Sequence, residues 1–253
     1  MNYKQFEDIL FAEWQKRSVA NGDGCELASD GLLYRGRFVY KDGYWSREPG
    51  NENAIWERAK RRVLILTKDL NDEETWDIRA ETGRNNFSGE NNVVVSAPFY
   101  KNLMRWVYGL LTIDANGHAK KFAEIDRQDV YQLFYDQAPV VRVNCKKQVG
   151  TSSIETSVLK SYMERYKDLL VKQIAAYDAN ILLCCGASGV IKDFVAENYL
   201  TDLMKLNNWI YYSPRTRKMV IDSWHPTYTG DTHEKMYSDM MSGVEEAWSR
   251  IKL

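Results

Sequence analysis

Three short stretches of the sequence carry side chains that could act together on a substrate. An apolar run leads into Thr67-Lys68-Asp69-Leu70-Asn71-Asp72, a second into Asn144-Cys145-Lys146-Lys147, and a third into Ser223-Trp224-His225-Pro226-Thr227. Together they supply a carboxylate able to orient water, an amide that both donates and accepts, and an imidazole able to stabilise charge on a leaving group. Taken singly each has an ordinary use: Asp69 as a helix cap, Asn144 as a turn residue, His225 as a hydrogen-bonded structural histidine. The set gains meaning from its position, because open parallel sheets bind ligands just beyond the carboxyl ends of their strands.

The elements that must hold these residues can be read from apolar patterning. Arg62 to Thr67, Pro139 to Asn144, Ile181 to Cys185 and Met219 to Ser223 are short, apolar and rich in β-branched residues, as expected of strands buried on both faces. Between the second and third, a capping box from Ser152 to Glu155 opens a helix carrying Leu159, Tyr162, Tyr166, Leu169, Leu170 and Ile174 on one face. Further helices are expected over residues 3–17, with Phe6, Ile9, Leu10 and Trp14 inward, over 98–111, over 188–200, and over 231–251 with Asp231 and Glu234 at capping-box spacing. Residues 209–212 and 219–223 flank a turn and give an edge hairpin. Residues 20–60, with turn signals at Asn21-Gly22, Asp42-Gly43 and Pro49-Gly50, read as a hairpin or loop layer. The expected fold is α/β, a three-layer sandwich around a mostly parallel central sheet, formed by a single domain over residues 1–253 in which residues 1–60 are an N-terminal elaboration.

Composition narrows the function classes. Lys plus Arg number 34 against 35 Asp plus Glu, so the formal charge of -1 denies the chain a global basic field, and contact with nucleic acid must come from local basic loops. No apolar run approaches the ~20 residues of a membrane span and the N-terminus is a charged amphipathic stretch, so a cytoplasmic protein without a signal peptide is expected. Cys25, Cys145, Cys184 and Cys185 match neither a zinc pair-of-pairs nor a disulfide framework, and adjacent Cys184 and Cys185 point to opposite faces of a strand, so buried free thiols are expected. With only His118, His225 and His233 besides, no metal site is expected. Gly186-Ala187-Ser188-Gly189 lacks the Gly-Lys-Ser/Thr ending of a phosphate-binding loop and reads as a tight turn.

The three strand ends, in this order, resemble the uracil-DNA glycosylase superfamily. Val63-Leu64-Ile65-Leu66-Thr67-Lys68-Asp69-Leu70-Asn71 is similar to the first motif, G-Q-D-P-Y or G-E-A-P-G after a buried strand, with Asp69 at the position of the water-activating Asp. Val141-Arg142-Val143-Asn144-Cys145-Lys146 resembles the strand that ends in the base-reading Asn, and His225-Pro226-Thr227 resembles the H-P-S motif. Tyr166 to Ile174 and Ile181 to Ala187 resemble the helix and strand-glycine turn between them, so the likeness spans roughly residues 62–250. It implies a DNA glycosylase-like fold and a reaction in which a nucleotide is flipped out and its N-glycosidic bond hydrolysed, leaving a free base and an abasic site. Asp69 and His225 would be the catalytic pair, and Asn144, Asn71, Phe87 and Lys68 the substrate-binding set, with Phe87 where the family stacks an aromatic on the extruded base.

The resemblance also implies a DNA partner, double- or single-stranded, a monomer, and no cofactor. Tyr228 and Thr229 stand where the family inserts a wedge into the gap left by the flipped nucleotide, and with Thr227, Lys146, Lys147, Arg215 and Arg217 they make up the expected DNA-contacting rim. Departures from the family pattern are informative. Thr67, Leu70 and Asn71 replace Gly, Pro and Tyr of the first motif, and a smaller Asn71 leaves the 5-position of a pyrimidine open. Uracil or a 5-modified, hypermodified phage pyrimidine are both admitted, the first implying repair and the second a defence role. The cysteine pattern of the iron-sulfur branch is absent, so no cluster is expected. A non-catalytic nucleic-acid or nucleotide binder retaining the fold, and an unrelated nucleosidase using Asp69, are the alternative readings.

Overall fold

The computed structural model describes residues 1–33, 37–48, 50–69, 75–81, 87–88, 91–92, 98–150 and 153–253. In chain order the elements are α1 (Tyr3–Ala20), β1 (Gly31–Leu32), β2 (Arg37–Lys41), β3 (Tyr44–Glu48), α2 (Glu52–Arg58), β4 (Val63–Thr67), α3 (Ile78–Glu81), β5 (Phe87–Ser88), β6 (Asn91–Asn92) and α4 (Pro98–Thr112). They continue with α5 (Phe122–Ile125), α6 (Gln128–Gln137), β7 (Val140–Asn144), α7 (Thr156–Arg165), α8 (Lys167–Tyr177), β8 (Ile181–Cys185), α9 (Val190–Asn198), β9 (Met204–Lys205), β10 (Ile210–Ser213), β11 (Lys218–Ser223) and α10 (His233–Ala247).

The four apolar runs become β7, β4, β8 and β11, side by side and mutually parallel in the centre of a mixed seven-stranded sheet of order β1-β7-β4-β8-β11-β10-β9. Every residue of β4, β7 and β8 is buried, because helices cover both faces of the sheet. Alternation along the strands divides the core in two. Val63, Ile65, Val140, Ile181 and Leu183 pack under α4, α6 and α10, whereas Leu64, Leu66, Val141, Val143 and Leu182 pack under α1, α7, α8 and α9. Each fully buried Val, Leu or Ile side chain contributes about 1.5–3 kcal/mol, so the central strands are where the fold is most firmly held. The chain passes from β4 to β7 across one face and from β7 to β8 back across the other. The strand order therefore reverses beside β4, at the carboxyl ends of β4 and β8, the place where open parallel sheets generally bind ligands.

Several expectations are corrected. The helix between β7 and β8 is two helices broken at Tyr166, whose φ of -111° and ψ of 22° leave the α region, although all its expected inward residues are buried. Its N-cap is Glu155, without a side-chain cap, and Ser152 lies outside the described residues. The cap of α10 is Thr232 rather than Asp231, its hydroxyl accepting from the Lys235 backbone N–H at 3.1 Å. Leu10 and Trp14 of α1 are buried as expected, but Ile9 is 63% exposed and Glu7 is the buried residue in its place. The layer over residues 20–60 contains the expected hairpin at Asp42-Gly43 but also helix α2, and β9 lies outside β10, so the β10–β11 hairpin is not the sheet edge. No described helix is long and apolar enough to cross a membrane. Cys145, Cys184 and Cys185 are buried free thiols, and Cys25 is a free thiol on the surface.

Candidate functional site

The site is built at the carboxyl edge of the four parallel strands. Thr67 ends β4 and Asn144 ends β7, and the two residues are direct partners in the parallel register. Both are buried, at 1% and 0% exposure. The Thr67 hydroxyl donates to Asn144 Oδ1, and Asn144 Nδ2, equally buried, has no hydrogen-bond partner. An unpaired buried amide N–H costs about 1–3 kcal/mol, so its retention points to a ligand that completes it. The Asn144 backbone is fixed independently: its N–H donates to Asp30 Oδ2 at 2.7 Å.

His225 stands two residues beyond β11. Its Cβ lies 3.0 Å from where a Cβ on Gly186 would sit, and Gly186, at φ +82°, begins a left-handed run through Ala187, Ser188 and Gly189. Only a residue without a side chain fits that approach. The Thr227 backbone N–H donates to His225 Nδ1 at 3.4 Å, and the Thr227 hydroxyl lies 2.7 Å from the same nitrogen. A ring nitrogen that receives an N–H is the unprotonated one, so the neutral ring carries its proton on Nε2. Burial, reinforced by the charges of Lys68 and Arg142, pushes the imidazole down to about 4, which makes His225 a neutral Nε2–H donor at physiological pH. The loop bearing it is pinned by Asn102 of α4, whose Nδ2 donates to Pro226 O at 2.6 Å while its Oδ1 lies 2.7 Å from His233 Nδ1 at the start of α10.

Asp69 is half-buried two residues beyond β4. Burial raises its carboxyl above the ordinary value, and the charges of Lys146 and Lys68 oppose that rise. Lys146 itself is half-buried, its ammonium donating to the carbonyls of Gln148 and Val149 at 3.1 and 2.8 Å. On the α4 side of the sheet, Phe99 places its ring centroid 5.8 Å from the His225 imidazole, with the Arg142 guanidinium 4.7 Å over the same ring.

Asp69, Asn144 and His225 therefore share one edge of the sheet, and Lys68 and Lys146 lie with them. Tyr228 is 43% exposed, its ring nearly parallel to that of Trp224 at 6.4 Å, and Thr227 and Thr229 are exposed beside it. Other rim residues are removed. Lys147 is fully buried, its ammonium donating to both Asp30 oxygens at 2.7 and 2.8 Å and to Gln173 Oε1 at 2.8 Å, so it holds the core and cannot meet DNA. Arg215 and Arg217 lie in the turn that precedes β11, which puts them at the opposite edge of the sheet from His225. Asn71 lies outside the described residues, as does the Phe87 side chain.

The residues sequence reasoning missed are Thr67 as the partner of Asn144, Asp30, Asn102 and Phe99. A signal existed for Thr67, a hydroxyl at the last position of its strand, and for Phe99, in the first turn of a helix that starts at a proline. Asp30 and Asn102 act across 114 and 124 residues of sequence, so local pattern carried no trace of them.

No protein-family model matches this chain, and no curated protein matches it either.

Proposed function

We propose that the chain is a DNA base glycosylase that hydrolyses the N-glycosidic bond of a flipped-out pyrimidine nucleotide. The observation that carries this reading is the buried, unpartnered Nδ2 of Asn144, on the same carboxyl edge of the sheet as a neutral His225 and a half-buried Asp69. Asn144 reads the base edge and Phe99 supplies an aromatic face. As the C1′–N bond breaks, its electrons pass to the base, and the His225 Nε2–H stabilises the anion that forms. Asp69 orients a water whose oxygen bonds to C1′ and whose proton leaves through the carboxylate. Tyr228 is the candidate wedge, since its exposed ring could stack in the gap left by the nucleotide, an interaction worth about 1–3 kcal/mol. Uracil and 5-modified pyrimidines are both within this reading.

The test is alkali-labile strand breakage in duplexes holding uracil, thymine, glucosylated hydroxymethylcytosine or only ordinary bases. Excision of at least one non-standard base is expected, with Asp69→Asn and His225→Gln each slowing the single turnover by about 100-fold or more while remaining folded. Tyr228→Ala should weaken activity on duplexes and largely spare single strands. DNA binding without breakage at any of these bases would leave recognition standing and overturn the hydrolytic role.

A further inference from the structure

We infer that a cleft beside β9, at the opposite edge of the sheet from His225, is a docking site for an acidic, extended peptide segment of a partner protein, which adds to the sheet as a strand outside β9. The inference goes beyond the base-glycosylase reading and does not depend on it. The sheet ends at β9, and no described strand pairs with its outer side. The Leu206 backbone N–H donates to Ile210 O at 2.8 Å, so alternation along the strand turns the main-chain groups of Lys205 away from β10. Both residues of β9 are exposed, Met204 at 49%. An open edge of this kind is a template for another strand. A lone edge lysine discourages pairing between copies of one chain, but here the lysine is one of several cations, and a group of cations selects an acidic strand.

The cleft has a volume of about 610 Å³. Met204, Tyr212 and Pro214 form its apolar part, and Lys205, Arg217, Arg250 and Lys252 contribute four positive charges. No carboxylate side chain lines it, and among the described residues none of the four cations makes an ion pair. Asp202, beside the same turn, is engaged instead by the Ser213 hydroxyl at 2.6 Å and the Arg215 backbone N–H at 2.9 Å. Arg217 Nε donates to Lys252 O at 3.0 Å and Arg250 Nη2 to Leu206 O at 2.7 Å, which fixes both guanidinium groups without neutralising them. For a chain of formal charge -1, four unmatched cations in one cleft are a marked local concentration, and a bound anion relieves their mutual repulsion. Two observations favour a peptide over a nucleic acid. The outward main-chain groups of Lys205 match those of a peptide backbone, which gives strand addition its affinity while side chains give specificity. The one aromatic ring of the cleft, Tyr212, is 5% exposed and offers no face on which a base could stack.

The experiment follows the fluorescence anisotropy of a labelled peptide of about six residues that alternates glutamate and valine, so that one face of the added strand is acidic. Wild type is expected to bind it, with affinity falling about tenfold or more as salt rises from about 0.05 to about 0.5 M. Lys205→Glu combined with Lys252→Glu should weaken binding by about tenfold or more. Two altered peptides test the mode of binding without touching the protein. Glutamine in place of glutamate removes the charge, and N-methylation of alternate amides keeps the charge but blocks pairing with a strand. Each is expected to bind about tenfold more weakly. In 1H–15N spectra the Lys205 backbone amide should shift downfield with the acidic peptide. Equal binding of the N-methylated peptide would make the cleft a charge trap and overturn strand addition. No binding of the acidic peptide by wild type, or unchanged affinity in the double variant, overturns the inference outright. A single-stranded oligonucleotide of equal charge that binds more tightly, and loses that affinity in the double variant, overturns it in favour of nucleic acid.

Discussion

Asn144 and Lys147 are three residues apart and equally buried, yet the polar clusters around them are opposites. Around Lys147 the cluster is closed. Its ammonium is shared between Asp30 and Gln173, Gln173 donates back to Asp30 at 2.8 Å, and neighbouring Glu7 accepts from Tyr177, the Leu32 backbone and Arg79 at 2.7, 2.8 and 3.0 Å. Even Gly31 is dictated by it, since a Cβ there would lie 2.3 Å from Glu7 Oε1. Around Asn144 the cluster is open: its buried Nδ2 lacks a partner. A saturated buried network fixes a fold, whereas one that leaves donors unpaired at a strand end is arranged for something that arrives later. Asp30 joins the two, accepting from the ammonium on one side and from the Asn144 backbone on the other, so the rigid cluster holds the open one in place.

That contrast is open to attack by substitution. Lys147→Met breaks the Asp30 pair and strands a buried carboxylate, so it should lower unfolding free energy by about 3–5 kcal/mol, read as a shift in urea midpoint. If it proves neutral, the closed cluster is not what stabilises this end of the molecule. Gly186→Ala places a side chain against His225 at a backbone conformation reserved for glycine, and a loss of about 1–3 kcal/mol is expected together with displacement of the imidazole. Asn144→Ala should cost no more than about 1 kcal/mol, since it removes one hydrogen bond but also an unpaired donor. Its excision rate should nonetheless fall by about 100-fold. A large stability loss with no change in rate would make Asn144 part of the closed cluster after all.

A further effect is one of pH. The His225 imidazole is pushed down to about 4 in the folded chain from an ordinary value of 6.5. Between those values the unfolded chain takes up a proton that the folded chain refuses, so the contribution of this residue is full above about pH 6.5 and is lost as pH falls toward 4. His225→Gln removes that slope, and the difference in urea midpoint between wild type and variant should shift in the variant's favour from pH 7 to pH 4.5. Equal differences at both values would mean that the ring is not held neutral. Excision by wild type should likewise show no titration near 6.5.

The central strands were legible because β-branched runs buried on both faces are long-range structure written in local composition. The strand-end residues Asp69, Asn144 and His225 were legible because a parallel sheet delivers its carboxyl ends to one edge whatever the connections do. The rim was not. Lys147 and Arg217 look like any other surface cation in the sequence, and only the sheet order shows that one is enclosed by α1 and α8 while the other precedes β11 and faces away. The same blindness applies to Asp30, whose role depends on a contact made 114 residues away.

The claim at the centre of this account is that the open donor of Asn144 is completed by a base. It can be followed directly by two-dimensional 1H–15N NMR of the side-chain amides while titrating a duplex that carries a non-cleavable 2′-fluoro-arabino uridine. The Asn144 amide protons, assigned by their loss in Asn144→Ala, are expected to shift downfield as the duplex binds, and a control duplex without the analogue should leave them in place. Binding of the analogue duplex with the Asn144 amide unmoved would contradict the account.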